Sequence, residues 1–166
     1  MLDTLRPHRL KVNILELDCR DLVEHGICGV ILDLDNTLTR WRSVDIAPEV
    51  VEWIAALSQA GIRACILSNA ISIRRVQVVA ERLGLPWISR AAKPFPHGYR
   101  RAMTLLQTTP ATTAIIGDQL FTDIVGGNLL GLFTVLVEPL YPYEAWTTSL
   151  LQRPLERLVG RVAKKG

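Results

Sequence analysis

At 166 residues, with 49% hydrophobic and 21% charged side chains, the chain has enough material for one domain with a sizeable core. The sequence has no low-complexity stretch and no apolar run of about 18 residues, which argues against a disordered or a membrane-spanning protein. The formal net charge is +3. The three cysteines show no paired spacing, so we expect neither a disulfide framework nor a zinc site. This cysteine usage is typical of a reducing compartment, and we expect a cytoplasmic protein.

Short apolar runs rich in β-branched residues alternate with segments whose apolar residues recur at helical spacing. In chain order they predict a helix over 18–25, a strand over 29–34, a helix over 48–59, a strand over 63–68, a helix over 72–83, a strand over 87–89, a helix over 98–107, a strand over 113–117, a helix over 123–130 and a strand over 133–137. Such alternation favours an α/β fold of three layers, Rossmann-like, with a central parallel sheet covered by helices.

Polar side chains follow four of these strands, at the point where each strand ends. They are Asp33, Asp35 and Thr37 after the first strand, Ser68 and Asn69 after the second, Lys93 after the third, and Asp118 and Asp123 after the fourth. Because ligands of an open parallel sheet bind outside the carboxyl ends of its strands, we expect these side chains to share one site.

The residue types in this group suit phosphoryl transfer with a magnesium ion. Mg²⁺ prefers hard oxygen ligands, which Asp33, the region of Asp35, and Asp118 could provide together with a phosphate oxygen and water. Asp33 could attack phosphorus and form an aspartyl-phosphate, while Asp35 protonates the leaving oxygen and later activates water. Ser68, Lys93 and the loop amides would hold the other phosphate oxygens.

The order of the motifs, DxDxT, then a strand ending in Ser, then Lys, then GDxxxxD, resembles the haloacid dehalogenase superfamily of phosphohydrolases. More narrowly, the segments DLDNTL, LSN, AAKP and GDQLFTDIVGGN resemble the YqeG-type branch, which includes the phosphatidylglycerophosphate phosphatases. The likeness runs from about residue 17 to residue 137.

The resemblance implies a Rossmann-like fold, with Asp33 as nucleophile and Asp35 as acid and base. It implies substrate contacts for Thr37, Ser68, Asn69 and Lys93, and a magnesium site at Asp33, Asp35, Asp118 and Asp123. One departure is Ala70, because an Asn often follows the Ser-Asn pair; the catalytic set itself is complete.

The intervals between the motifs are too short for a lid. One helix fits between Leu38 and the second strand, and one helix with a short strand fits between Asn69 and Lys93, so we expect no cap domain and an open site. An open site suits a bulky phosphorylated substrate such as a lipid head group, with phosphatidylglycerophosphate first. The alternatives are a phosphatase of a small sugar phosphate or nucleotide, or a non-catalytic phosphate-binding regulatory module. Trp41 either meets the substrate beyond its phosphate or packs.

We expect a single domain over 1–166, with a core of about 17–140 and a basic amphipathic segment over 141–166. The basic residues of this segment are Arg153, Arg157, Arg161, Lys164 and Lys165. The segment either packs on the sheet as a terminal helix or makes peripheral contact with an anionic membrane. No nucleic acid partner is expected, because nothing in the sequence resembles an aromatic stacking platform.

Overall fold

The computed structural model describes residues 3–11 and 13–140. Within these residues, six parallel strands form one sheet in the order β1-β6-β5-β2-β3-β4. Their bounds are β1 (Arg9–Lys11), β2 (Gly29–Leu32), β3 (Arg63–Leu67), β4 (Trp87–Ile88), β5 (Thr113–Gly117) and β6 (Phe133–Val137). Ile31 of β2 lies opposite Cys65 of β3 and Ile115 of β5, so β2 occupies the middle of the sheet.

Helices connect the strands and cover the two faces of the sheet. They are α1 (Cys19–Glu24), α2 (Pro48–Gln59), α3 (Ile73–Leu83), α4 (Pro96–Leu106) and α5 (Val125–Leu129). Asp18 caps α1 by accepting a hydrogen bond from the Arg20 amide at 2.9 Å. Both α2 and α4 begin with a proline, which lacks the N–H that a first helical turn leaves unused.

Two hydrophobic cores lie on opposite faces of the sheet. Successive strand side chains point to opposite faces, so Val30 and Leu32 pack in one core together with α2 and α3. Ile31, between them, packs in the other core against α4, where Tyr99 is fully buried. The three-layer α/β fold with a central parallel sheet is therefore confirmed.

The structure corrects several predicted boundaries, among them the start of α4 at Pro96 rather than at residue 98, and adds a strand. The first core strand ends at Leu32 rather than at residue 34, although the Asp33 amide still bonds to the Ile116 carbonyl of β5 at 3.0 Å. The helix predicted over 123–130 begins instead with a π-helical turn at Leu120–Ile124, and its α-helical part is α5. The added strand, β1, pairs with β6 at the edge of the sheet.

The connections that follow the strands are short. Residues 33–47 link β2 to α2 and residues 68–72 link β3 to α3, and neither link holds a separate domain. Among the helices that the structure describes, none has the length and apolar character needed to cross a bilayer. The predicted basic segment over 141–166 lies outside the described residues.

Candidate active site

A cleft of about 640 Å³ opens at the carboxyl edge of the sheet. Its walls come from the connections after β2, β3, β4 and β5, as the order of the motifs predicts. Five of the predicted site residues line it, namely Asp33, Asp35, Ser68, Asn69 and Lys93. The other three, Thr37, Asp118 and Asp123, are not among the residues that line it.

A buried lysine joins two aspartates at the floor of the cleft. The Nζ atom of Lys93 donates to Asp33 Oδ1 at 2.5 Å and to Asp123 Oδ1 at 2.7 Å. The three side chains are at most 5% exposed, so water screens these charges poorly. Burial alone would lower the pKa of Lys93, but the carboxylates of Asp123 and Asp33 outweigh it and raise that pKa above its usual range.

Asp118 completes a cluster of three carboxylates with Asp33 and Asp123. One carboxylate oxygen from each of the three lies within 4.8 Å of those of the other two. Oδ2 of Asp33 and Oδ1 of Asp118 are buried and have no hydrogen-bond partner among the described residues. Burial, with the neighbouring carboxylates, raises the pKa of Asp33 and of Asp118, while Lys93 opposes the shift.

This cluster fits a hard divalent cation. It offers only oxygen donors, and a single ammonium group stands against three carboxylates. The two unpartnered oxygens are the atoms that a cation would satisfy. The carboxylate of Asp35, which the sequence also assigns to the metal, lies outside this cluster.

Asp35 is held instead on the wall of the cleft by two arginines. Arg75 Nη2 donates to Asp35 Oδ2 at 2.6 Å, and the Arg42 amide donates to Asp35 Oδ1 at 2.9 Å. Arg75 Nη1 also donates to the Ser43 carbonyl at 3.2 Å, which fixes the guanidinium between the loop and α3. Sequence reasoning missed both arginines. For Arg75, the available signal was that α3 starts at the same edge of the sheet as the Ser68-Asn69 pair.

Asn69 and Ser68 lie beside Lys93 but use their side chains differently from each other. Asn69 Nδ2 donates to the Lys93 carbonyl at 3.0 Å, and Asn69 Oδ1 accepts from the Lys93 amide at 2.8 Å. Ser68 is buried and its Oγ accepts from the Ala70 amide at 3.1 Å. Asn69 thus fixes the backbone that presents Lys93.

Thr37 and Asn36 are two further polar residues of the connection after β2, and Asn36 lines the cleft. The Oγ1 atom of Thr37 is buried and has no partner among the described residues. Asn36, which sequence reasoning left out, donates from Nδ2 to Asp118 Oδ2 at 3.4 Å. Its backbone has a φ of 62°, a left-handed conformation that asparagine tolerates better than most residues.

Gly117 and Tyr99 place Asp123. A Cβ atom at Gly117 would overlap the Asp123 carboxylate, so only glycine allows this close approach. The Gln119 amide donates to Asp123 Oδ2 at 3.2 Å, and the buried Tyr99 hydroxyl donates to the neighbouring Thr122 carbonyl. Tyr99 was not singled out in the sequence because an aromatic residue in an amphipathic helix is usually part of a core.

The sequence is similar to known phosphatases. A family profile described as haloacid dehalogenase-like hydrolase matches residues 40–131. The Bacillus subtilis (strain 168) protein "Probable phosphatase YqeG" is 34% identical over 160 residues, which are 96% of this chain and 92% of that protein. "Phosphatidylglycerophosphate phosphatase 1, chloroplastic" of Chlamydomonas reinhardtii is 31% identical over 143 residues, which are 81% of this chain but only 53% of that protein.

The fold is similar to solved structures. One is the cobalt-bound form of the deoxy-D-mannose-octulosonate 8-phosphate phosphatase (YrbI) of Haemophilus influenzae. The TM-score is 0.55 and the sequence identity 21%, over 68% of this chain and 69% of that chain. At this identity the likeness extends to the fold alone.

Proposed function

The chain belongs to the haloacid dehalogenase-like hydrolases and is a phosphatase, and from this premise we propose that it hydrolyses phosphatidylglycerophosphate through a phosphorylated Asp33. Beyond the family and the phosphatase activity, we propose the role of each residue, the magnesium ion and the lipid substrate. The observation that carries it is that two carboxylates of one loop line the same cleft in different surroundings. Asp33 is buried beside Lys93, whereas Asp35 is bonded to the Arg75 guanidinium and the Arg42 amide on the wall.

In the proposed first step, an oxygen of Asp33 forms a bond to phosphorus and the bond from phosphorus to the ester oxygen breaks. Asp35, in its protonated form, gives its proton to that leaving oxygen. In the second step Asp35 takes a proton from water, whose oxygen bonds to phosphorus. The bond between phosphorus and Asp33 then breaks, inorganic phosphate leaves, and both carboxyl groups return to their starting states.

The other buried groups hold the phosphate and its charge. Thr37 Oγ1 and Ser68 Oγ would donate to phosphate oxygens, and the ammonium of Lys93 would stay beside them. Asn69 contributes by fixing the backbone of Lys93. Asp33, Asp118 and Asp123 would hold Mg²⁺, which supplies positive charge against the phosphate oxygens when it is bound.

The lipid substrate is supported by the relatives and by the cleft. Besides the algal enzyme, a Saccharomyces cerevisiae protein named "Phosphatidylglycerophosphatase GEP4, mitochondrial" is 26% identical over 96% of this chain. Phosphatidylglycerophosphate carries a phosphodiester in addition to its terminal phosphate. The cleft wall offers the exposed Arg42 outside the buried centre, where a second anionic group would be favourable.

A phosphate-release assay with Mg²⁺ tests this function. The substrates are phosphatidylglycerophosphate in mixed micelles, glucose 6-phosphate and a nucleoside monophosphate. We expect the lipid to have the highest kcat/KM, EDTA to stop the reaction, and Asp33→Asn to lower kcat by about a thousandfold or more because the nucleophile is lost. Asp45→Asn, at an exposed acid of the same loop, is the matched control.

Two results would contradict the proposal separately. Full activity of Asp33→Asn would show that Asp33 is not the nucleophile. A higher kcat/KM on glucose 6-phosphate or the nucleotide than on the lipid would contradict the lipid as substrate, but it would not contradict the proposed reaction steps.

A further inference from the structure

Large apolar side chains are exposed in four of the connections at the carboxyl edge of the sheet. Trp41 is 39% exposed, Ile71 81%, Phe95 68% and Phe121 39%. They follow β2, β3, β4 and β5 respectively, so each comes from a different connection. We call these four residues the apolar rim.

Two members of the apolar rim line the cleft, and the other two lie in connections at the same edge of the sheet. Trp41 and Ile71 themselves line the cleft. Phe95 follows Lys93 by two residues, and Phe121 lies between Asp118 and Asp123 in the π-helical turn. Because the carboxyl ends of parallel strands meet at one edge, the four side chains lie on the side of the molecule from which a substrate enters.

Core packing does not account for the apolar rim. Single exposed hydrophobic residues are normal on a protein surface, and Leu105 and Leu129 are examples at the opposite edge of this sheet, where α4 and α5 end. Several that converge on one edge are unusual and mark an interaction surface. Two of the four are phenylalanines, whose side chains have no polar atom that could form a hydrogen bond with water.

Arginines accompany these side chains. The Arg42 guanidinium lies 4.5 Å from the centroid of the Trp41 ring, and Arg90 Nε donates to the Ile71 carbonyl at 3.4 Å. Arg40 is exposed and precedes Trp41. Asp45, the exposed acid of the same loop, is bonded to the Ser43 hydroxyl at 3.0 Å. The surface around the rim therefore combines apolar groups with positive charge.

We propose that the apolar rim and Arg40, Arg42 and Arg90 dock the protein on an anionic bilayer. The phenylalanines and Ile71 enter the head-group region, the arginines bind lipid phosphates, and the cleft then faces the head groups directly. A second copy of this chain fits the surface less well, because a symmetric dimer would set the three arginines against themselves. The inference rests on the proposed function only in that a lipid substrate would explain why the protein binds a bilayer. The binding itself needs no turnover.

Sedimentation of the full chain with vesicles tests the docking surface without any reaction. The vesicles are phosphatidylcholine alone and phosphatidylcholine mixed with phosphatidylglycerol. We expect binding to the mixed vesicles that weakens with added salt, and Ile71→Ser/Phe95→Ser to weaken it about tenfold or more, because two side chains no longer enter the apolar layer. Leu105→Ser/Leu129→Ser removes two exposed apolar side chains at the opposite edge and should bind like the unaltered chain.

The charge is tested in the same assay with Arg90→Gln, against Arg101→Gln on the exposed surface of α4. We expect only Arg90→Gln to weaken binding to the mixed vesicles, by a few-fold. The proposal is overturned if Ile71→Ser/Phe95→Ser binds as tightly as Leu105→Ser/Leu129→Ser. It is also overturned if the rim variant changes the oligomeric state in size-exclusion chromatography and leaves vesicle binding intact. Failure of the phosphatase proposal would show in the phosphate-release assay and would leave these binding results standing.

Discussion

Asp33 and Asp35 are separated by a single residue, yet they lie in two regions with different electrostatics. Asp33 belongs to a buried centre with Lys93, Asp118 and Asp123, in which carboxylates outnumber cations. Asp35 lies on the cleft wall, where Arg75 and the Arg42 amide satisfy its two oxygens. The contrast indicates that the surroundings, more than the residue type, divide the proposed work of attack and proton transfer between two aspartates.

The largest effect should come from separating the two roles by leaving group. With Asp35→Asn, we expect kcat/KM on an alkyl phosphate to fall about a hundredfold or more, because an alkoxide leaves poorly without a proton. The loss of kcat/KM on p-nitrophenyl phosphate should be much smaller, since that phenolate leaves readily and kcat/KM does not include the later hydrolysis of the aspartyl-phosphate. Asp33→Asn should lose activity on both substrates. Equal losses of kcat/KM on the two substrates in Asp35→Asn would contradict the transfer of a proton from Asp35 to the leaving oxygen.

The buried centre can be broken at its one cation. Lys93→Gln leaves Asp33, Asp118 and Asp123 close together without a compensating charge, so we expect the free energy of unfolding to fall by about 3–5 kcal/mol. Urea unfolding measures the change, and Mg²⁺ should restore more stability to this variant than to the unaltered chain. Arg101→Gln, at an exposed cation, is the control. Equal midpoints for the two variants would show that the centre does not depend on Lys93.

A smaller disturbance of the same centre is Gly117→Ala. The added methyl group would overlap the Asp123 carboxylate, which must then move away from Lys93. We expect a loss of about 1–3 kcal/mol in the free energy of unfolding, as for other overpacked sites, and a lower affinity for Mg²⁺. Urea unfolding and calorimetric titration with Mg²⁺ measure the two effects. Unchanged values in both would mean that the Asp123 carboxylate accommodates the added methyl group without moving away from Lys93.

The cleft wall offers the mildest test. Arg75→Gln removes the ion pair to Asp35, and we expect about a tenfold loss of kcat on an alkyl phosphate, with part of it restored in Arg75→Lys. The adjacent Arg74 is exposed, so Arg74→Gln is a matched control that should keep its activity. If Arg75→Gln and Arg74→Gln behave alike, the ion pair does not position Asp35.

Most of the sheet could be predicted from the sequence because its central strands are continuous apolar runs. The predicted bounds of β5 and β6 match the structure, since both runs end at turn residues or charges. β1 could not be predicted: it has three residues, two of them basic, and it forms only because β6 offers a free edge. The π-helical turn at Leu120–Ile124 contains Asp123, whose bond to Lys93 spans 30 residues of sequence and is encoded in no local pattern.

The candidate site likewise contains some residues that the sequence predicts and others that it does not. Residues at strand ends were predictable, because topology brings them to one edge whatever the details of packing. Arg75 was not, because it is 40 residues from Asp35 in the sequence and reaches it only through the placement of α3. Asn69 was predicted as a substrate contact, and the structure shows its amide bonded on both sides to the Lys93 backbone. Such pairings depend on side-chain geometry that spacing does not contain.

The central claim is that Asp33 carries the phosphoryl group, and acid quenching with ³²P-labelled p-nitrophenyl phosphate, whose leaving group needs no proton from Asp35, tests it directly. In Asp35→Asn the second step loses its base, so labelled protein should accumulate. We expect hydroxylamine-sensitive label in the peptide that contains Asp33, and none in Asp33→Asn. Turnover of the labelled substrate with no label on the protein, or with label on another residue, would contradict the account.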